Sequence, residues 1–127
     1  MQISIRQLLF SPDRRSLVFF DRSDEQTHVW DLAGRSVAMV LPFGGPSFAI
    51  SSDGTRIGWT ARGDEVSGIW VSELAESATP QLLTAVHDRA VAGITTIDFT
   101  PDDSSLVVGG LVREGDEPSQ ILVVPSR

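Results

Sequence analysis

The sequence predicts an all-β fold made of three copies of one antiparallel four-stranded unit, with the outermost strand missing from the last copy. A motif that occurs three times, apolar residues that alternate with polar ones, and turn residues between the apolar runs lead to this prediction. The repeated aspartates Asp13, Asp53 and Asp102 are 40 and then 49 residues apart. A period of about 40–50 residues is typical of folds that arrange four-stranded sheets one after another.

The repeated motif is an apolar segment that ends in a turn with an aspartate. Its three copies align without gaps and are residues 8–13 (LLFSPD), 48–53 (FAISSD) and 97–102 (IDFTPD). The agreement continues after the turn, at the apolar positions Leu17, Ile57 and Leu106 and then Phe19, Trp59 and Val108. Agreement at so many positions in three copies indicates one structural unit repeated three times.

The turn residues predict a hairpin at the same place in each unit. Pro12 and Pro101 preset the backbone φ angle, and the aspartate that follows can accept hydrogen bonds from the backbone just after it. In the second copy Asp53 precedes Gly54, and glycine accepts the positive φ that tight hairpins need. The flanking runs alternate at a period of two residues, as half-buried strands do.

These signals place eleven strands. We expect them at about residues 3–10, 16–21, 27–32 and 35–41 in the first unit, 46–51, 56–61, 67–73 and 80–85 in the second, and 93–100, 105–112 and 119–125 in the third. No helix is predicted, because Pro80 interrupts the one segment with helical propensity, residues 72–83.

Two pairs of motifs resemble the WD40-like repeats of the PD40/TolB type. They are residues 10–13 (FSPD) with 29–32 (VWDL), and residues 52–57 (SDGTRI) with 68–71 (GIWV). The resemblance covers nearly the whole chain and implies an incomplete β-propeller, a single segment over residues 1–127 with blades at about 3–42, 46–86 and 92–127. The glycine that follows the turn aspartate in these repeats is present as Gly54, whereas Arg14 and Asp103 stand there in the other copies.

Composition excludes several classes of function. The formal net charge of −7 and the pI near 4.6 argue against nucleic acid as a partner, because phosphate binding needs clustered Lys and Arg. No apolar run reaches the ~18–20 residues of a membrane helix, and the first residues lack a signal-peptide layout. Together with the absence of cysteine, this favours a cytoplasmic location, or an extracytoplasmic one if the chain is a fragment. All ten basic residues are arginines, which favours a GC-rich bacterial genome.

No catalytic, cofactor-binding or metal-binding residues are predicted. The sequence contains no HExxH motif, no G-x-S-x-G motif and no cysteine. The repeated aspartates are expected to be turn residues, and the two histidines, His28 and His87, to have structural or surface roles. The acidic runs at residues 21–25 and 114–117 lack the spacing of a calcium loop and are expected to be solvated.

The three tryptophans are expected to pack between blades, as large aromatic side chains do in such cores. Trp30 and Trp70 each lie 17 residues after their turn aspartate, so we expect equivalent positions on the third strands. Trp59 lies on a second strand and is expected to be buried in the same way.

The loops between second and third strands are the predicted binding surface. In an antiparallel blade they emerge on one edge, together with the blade-to-blade loops at residues 42–46 and 86–93, and WD40-type propellers commonly bind partners there. Loops on a rigid scaffold are where recognition usually occurs. The predicted partner-binding residues are Arg22, Asp24, Glu25, Arg62, Asp64, Glu65, His87, Asp88, Arg89, Arg113, Glu114, Asp116 and Glu117.

Two functions are compatible with the sequence. The first is a non-enzymatic scaffold that binds a protein or peptide, with its ring completed by self-assembly or by another propeller segment. The second is a fragment of the propeller domain of a larger enzyme, such as a prolyl-oligopeptidase-like hydrolase. An open arc of three blades exposes an apolar sheet face at each end, so we expect a homo-oligomer or part of a larger propeller.

Overall fold

The computed structural model of the chain describes residues 5–61, 67–85, 96–111 and 120–126. Their strands form three antiparallel sheets, each with its strands in chain order. The first sheet contains β1 (Ile5–Phe10), β2 (Ser16–Asp21), β3 (Gln26–Asp31) and β4 (Ser36–Leu41). The second contains β5 (Ser47–Ile50), β6 (Arg56–Ala61), β7 (Gly68–Glu73) and β8 (Gln81–Ala85). The third contains β9 (Thr96–Phe99), β10 (Ser105–Leu111) and β11 (Gln120–Pro125).

The predicted fold class is confirmed. Four, four and three antiparallel strands form the sheets, and wherever both fall on described residues, observed and expected strand ends differ by one residue at most. Within the described ranges, no helix is long and apolar enough to cross a membrane.

The first hairpin turn of each sheet has the same hydrogen bonds. In each turn the aspartate carboxylate accepts one bond from the hydroxyl two residues before it and one from the N–H two residues after it, at 2.6–3.0 Å. The donors are Ser11 and Arg15 for Asp13, Ser51 and Thr55 for Asp53, and Thr100 and Ser104 for Asp102. The residue after the aspartate has a positive φ in every turn, 62° at Arg14, 77° at Gly54 and 60° at Asp103. The predicted equivalence of the three turns is confirmed.

These hydrogen bonds predict a loss of stability in acid. Donation from the Ser51 hydroxyl and from Thr55 lowers the pKa of Asp53 from 3.8 to about 2. Donation from the Ser104 hydroxyl and N–H and from Thr100 does the same for Asp102. Because each folded-state pKa lies below the unfolded value, the carboxylates stabilise the fold above that value and lose this effect as the pH falls towards 2.

We therefore expect the Tm to decrease between about pH 4 and pH 2 in differential scanning calorimetry. The double variant Asp53→Asn, Asp102→Asn is the control, since it keeps the turn shape but cannot titrate. Its Tm should be lower than that of the parent at neutral pH and should change less between pH 4 and 2. Equal decreases in the two proteins would show that the turn carboxylates are not responsible.

The sheets stack face to face. The first strands are neighbours, β1 beside β5 and β5 beside β9. Two clusters of buried apolar side chains fill the two interfaces. Between the first and second sheets they are Val18, Phe20, Val29, Phe48, Ile57 and Trp59. Between the second and third they are Ala49, Ile69, Val71, Ile97, Phe99, Leu106, Val108 and Val124.

The prediction that Trp30 and Trp70 are equivalent is wrong. Trp30 pairs with Leu17, whereas Trp70 pairs with Trp59, which is two residues further along its own strand. The segment between β6 and β7 is residues 62–67, two residues longer than the segment 22–25 between β2 and β3, and this shifts the third strand by two positions. Trp70 is therefore the counterpart of His28, which pairs with Phe19.

Burial also separates the three tryptophans. Trp59 is 3% exposed, which confirms the expected packing between blades. Trp70 is half-buried and packs against the first interface cluster. Trp30 is half-buried and lies on the opposite face of β3 from Val29, because neighbouring strand residues point to opposite faces. It therefore faces away from the second sheet, on a face that no described blade covers, and for Trp30 the expected packing between blades stays a prediction.

A polar network joins the second and third sheets. The Asp103 carboxylate, almost completely buried, accepts the Ser52 N–H at 2.9 Å and the Ser52 hydroxyl at 2.6 Å. The Arg56 guanidinium donates to the carbonyl oxygens of Ser126 and Asp103, and it lies 5.2 Å from the centre of the Phe99 ring. The Ser126 hydroxyl closes the network by donating to the Asp103 carbonyl at 2.8 Å.

Candidate functional site

The described part of the predicted binding surface is the turn between β2 and β3 with the neighbouring loop at residues 42–46. Asp21, at the end of β2, is 4% exposed. One oxygen of its carboxylate accepts the N–H and the hydroxyl of Ser23 at 2.9 and 2.7 Å, and its carbonyl accepts the Glu25 N–H at 2.8 Å. The expectation that the acidic run at residues 21–25 is solvated is therefore wrong for Asp21, whose buried carboxylate holds the turn in one shape.

Asp24 and His28 provide a second attachment of the turn to the sheet. One oxygen of Asp24 accepts the Gln26 N–H at 3.0 Å, and the other lies 2.9 Å from Nε2 of His28. The His28 ring is stacked on Phe19, with centroids 5.1 Å apart and an angle of 3° between the planes. His28 therefore links the turn to the sheet through its contacts with Asp24 and Phe19.

The neighbouring loop is tied to the same edge. The Thr27 hydroxyl donates to the Phe43 carbonyl at 2.7 Å. At Gly44, where φ is 133°, an added Cβ would lie 2.1 Å from the Thr27 hydroxyl oxygen. At Gly45 it would lie 2.1 Å from the Thr60 carbonyl oxygen, so both glycines are needed for this close packing. The structure thus brings the β2–β3 turn and the blade-to-blade loop together, as strand geometry predicted.

Three of the predicted partner-binding residues lie together in this turn, and all are exposed: Arg22, Asp24 and Glu25. Asp24 is engaged by Gln26 and His28, while Arg22 and Glu25 project from a turn whose shape other residues maintain. The other predicted residues lie outside the described residues: Arg62, Asp64, Glu65, His87, Asp88, Arg89, Arg113, Glu114, Asp116 and Glu117.

The same turn contains the one group in the described residues with the composition of a metal site. Asp21, Asp24 and His28 each offer one ligand atom, and these atoms lie within 4.8 Å of one another. Carboxylate and imidazole ligands together suit zinc and other divalent transition metals. The hydrogen bonds of the turn already explain the arrangement of these side chains, and the expectation of no metal site stays a prediction.

Sequence reasoning missed the network around Arg56 and Asp103. A signal was present, since an acidic residue stands at position 103, where Gly54 stands in the second copy, and Ser52 stands where the other copies have proline. A proline has no N–H to satisfy, whereas Ser52 has one, and Asp103 accepts it. Which side chains meet across two blades could not be read from the repeat alone.

Comparison with known proteins supports the fold. No protein-family model matches the chain. No curated protein matches it either. Solved structures do match, and one of them is TolB from Acinetobacter baumannii, at a TM-score of 0.68 and 19% identity over 98% of this chain. The β-propeller domain of the Trilobed protease from Pyrococcus furiosus matches at a TM-score of 0.60 and 15% identity over 98% of the chain. U3-55K matches at a TM-score of 0.56 and 17% identity over 96% of the chain.

The chain has the fold of β-propeller blades, and the resemblance to TolB-type and WD40-like repeats is confirmed at the level of the fold. It spans 30% of the length of TolB, 40% of U3-55K and 44% of the protease propeller. Its three sheets therefore correspond to part of each of these propellers.

Proposed function

We propose that the chain is a non-enzymatic scaffold that binds a protein or peptide on the loop edge of its blades. The observation that supports this most is the β2–β3 turn, where the buried Asp21 and the stacked His28 hold a rigid backbone from which Arg22 and Glu25 project. Rigid presentation of charged side chains lowers the entropy lost when a partner binds. A cytoplasmic location is part of the same proposal.

The chemistry of the loops favours a basic or mixed-charge partner. The chain carries a formal net charge of −7, and in the sequence of the other units Asp64, Glu65, Asp116 and Glu117 repeat the acidic character of Asp24 and Glu25. Opposite charges at an exposed rim act mainly on the association rate, and salt screens them over about 10 Å at 0.1 M.

A charge-reversal variant tests this proposal. In Asp24→Lys, Glu25→Lys, Asp64→Lys, Glu65→Lys, we expect slower association with a fluorescein-labelled Arg-rich peptide, measured by stopped-flow anisotropy. The parent should bind this peptide more weakly as salt rises and should not bind an acidic peptide of the same length. Circular dichroism should show the same β spectrum for the variant and the parent.

The matched control reverses charge on the opposite edge of the blades. Glu73→Lys with Glu76→Lys changes two exposed acidic residues near the β7–β8 connection, and we compare it with Asp24→Lys, Glu25→Lys alone. The control should associate at the rate of the parent. If the loop variants bind normally and the control binds slowly, the binding surface is the opposite edge, which contains residues 12–15 and 73–77.

A second candidate function is a part of the propeller domain of a larger enzyme. The likeness to the propeller domain of the Trilobed protease favours it. In that case the catalytic residues belong to another domain, since this sequence contains no G-x-S-x-G motif. The native reading frame would separate the two proposals. A longer frame that contains a nucleophile motif would support the enzyme, and a frame without one would support the scaffold.

A further inference from the structure

The first sheet exposes two apolar side chains on one face whose counterparts in the other sheets are buried. Leu8 is 53% exposed, whereas the equivalent Phe48 and Ile97 are 1% and 7% exposed. Phe10 is 57% exposed, whereas the equivalent Phe99 is 8% exposed. In the second and third sheets a preceding blade covers these positions. We call the face of the first sheet that carries Leu8 and Phe10 the front face.

The third sheet exposes the opposite face in the same way. Ile121 pairs with Gly109, and Ile69 pairs with Thr60, so Ile121 and Ile69 occupy equivalent positions in their sheets. Ile121 is nevertheless 74% exposed, whereas Ile69 is fully buried. Val123 is 57% exposed, and its counterpart Val71 is 5% exposed. In the second sheet the next blade covers the counterparts. We call the face of the third sheet that carries Ile121 and Val123 the back face.

The two internal interfaces show what covers each kind of face. In both, the back face of one blade packs on the front face of the next. We propose that a second copy of this chain covers both exposed faces, with the back face of each copy on the front face of the other. This inference rests on the proposed function as a propeller scaffold and names what completes it. Two copies form a ring of six blades, within the range of about 4–8 found in propellers.

The turn residues complement each other across this contact. Inside the chain, Asp103 of the third sheet reaches the N–H of Ser52, the residue before Asp53. In the first sheet Arg14 follows the turn aspartate, as Asp103 does in the third sheet, so the two positions are equivalent. At the contact between copies Arg14 would therefore lie beside Pro101 of the other copy, which is equivalent to Ser52. Proline has no N–H that needs an acceptor, so position 14 does not need a carboxylate at this contact and can be an arginine.

The charges also fit better than at the internal interface. Asp103 stands beside Asp53, and the repulsion between them opposes the effect of the Ser52 hydrogen bonds on the pKa of Asp103. At the contact between copies, the equivalent pair is Arg14 and Asp102, which attract each other. The end faces therefore complement each other in both apolar character and charge.

Light scattering on a size-exclusion column tests the proposal. The expected mass is twice that of the 13.7 kDa chain at micromolar concentration. Phe10→Glu on the front face and Val123→Glu on the back face should each raise the dissociation constant by at least about tenfold, because each places a carboxylate in an apolar contact. Both positions are exposed in a single copy, so both variants should fold. Gln81→Glu, at an exposed position on the outer strand of the second sheet, is the control and should keep the mass of the parent.

Mixing the two variants tests the direction of the contact. A pair made of one Phe10→Glu copy and one Val123→Glu copy has one contact with both substitutions and one contact with neither. Because one carboxylate already disrupts a contact, a second in the same contact adds little, and the mixture, which keeps one unaltered contact, should associate more tightly than either variant alone. Dimerisation of Val123→Glu at the parental concentration would indicate front-to-front pairing and would overturn the proposal.

The charge pair has its own matched variants. Arg14→Glu should weaken association several-fold, with less effect at high salt, whereas the neighbouring Arg15→Glu should not. A stable, folded monomer at micromolar concentration would overturn the proposal. A monomer would still be expected to bind the labelled peptide at its loops. A protein that fails to bind the peptide would still be expected to have the mass of a dimer. The dimer proposal and the peptide-binding proposal can therefore fail separately.

Discussion

Replacement of Trp59 by alanine is expected to lower the free energy of unfolding by about 3–5 kcal/mol. The indole is 3% exposed between the first and second sheets, and it is stacked on Phe43 with centroids 5.2 Å apart. Its removal leaves a cavity that neighbouring side chains fill only in part. Urea unfolding of parent and variant at one protein concentration gives the difference, since any association makes apparent stability depend on concentration.

Trp30→Ala is the matched control for this prediction. Trp30 is half-buried on the front face of the first sheet, and no described blade covers it. Its replacement should cost clearly less than that of Trp59 when the chains are dilute enough to be separate. Equal costs for Trp59 and Trp30, or a Trp59→Ala variant as stable as the parent, would contradict the burial of Trp59 between blades.

Replacement of Arg56 by methionine is expected to lower the free energy of unfolding by about 2–3 kcal/mol, since hydrogen bonds to charged groups contribute about 1.5–3 kcal/mol. The guanidinium donates to the carbonyl oxygens of Ser126 and Asp103 and lies over the Phe99 ring. Methionine retains much of the aliphatic stem, so the variant removes mainly these polar contacts. The two carbonyl oxygens then lose a donor at the boundary between the second and third sheets.

Arg35→Met is the control, because Arg35 is exposed in the turn between β3 and β4. Its effect should be within about 0.5 kcal/mol of zero, as for most surface substitutions. Hydrogen exchange would show where Arg56→Met acts, with faster exchange expected in β9 to β11 than in β1 to β4. Uniform acceleration over all three sheets would contradict the role of Arg56 as a local link.

Most of the fold could be predicted because the same sequence pattern occurs three times, so each copy supports the interpretation of the other two. The predicted hydrogen bonds from the following backbone to Asp13, Asp53 and Asp102 are present in all three turns. Local residue preferences determine such turns, and the same preferences appear at the same spacing in each copy. Where loop length changed, counting from the turn failed, and Trp70 was paired with the wrong counterpart.

The candidate site was predicted only in outline. Charged residues between second and third strands identified the loop edge, and the structure places Arg22, Asp24 and Glu25 there together. The buried Asp21 and its bonds to Ser23 could not be inferred, because an aspartate at the start of an acidic run has the same composition whether its carboxylate is solvated or buried.

By itself, the sequence determined the all-β class, the three units, the strand ends and the turns, because each depends on residues close together in the chain. The tertiary structure decided the rest: that Asp103 crosses to Ser52 in another blade, that Arg56 reaches Ser126, and that Leu8 is exposed where Phe48 is buried. Burial and contacts between blades depend on what packs against each sheet face. Alternation along a strand shows that a residue points to one face or the other, but not whether a neighbouring blade covers that face.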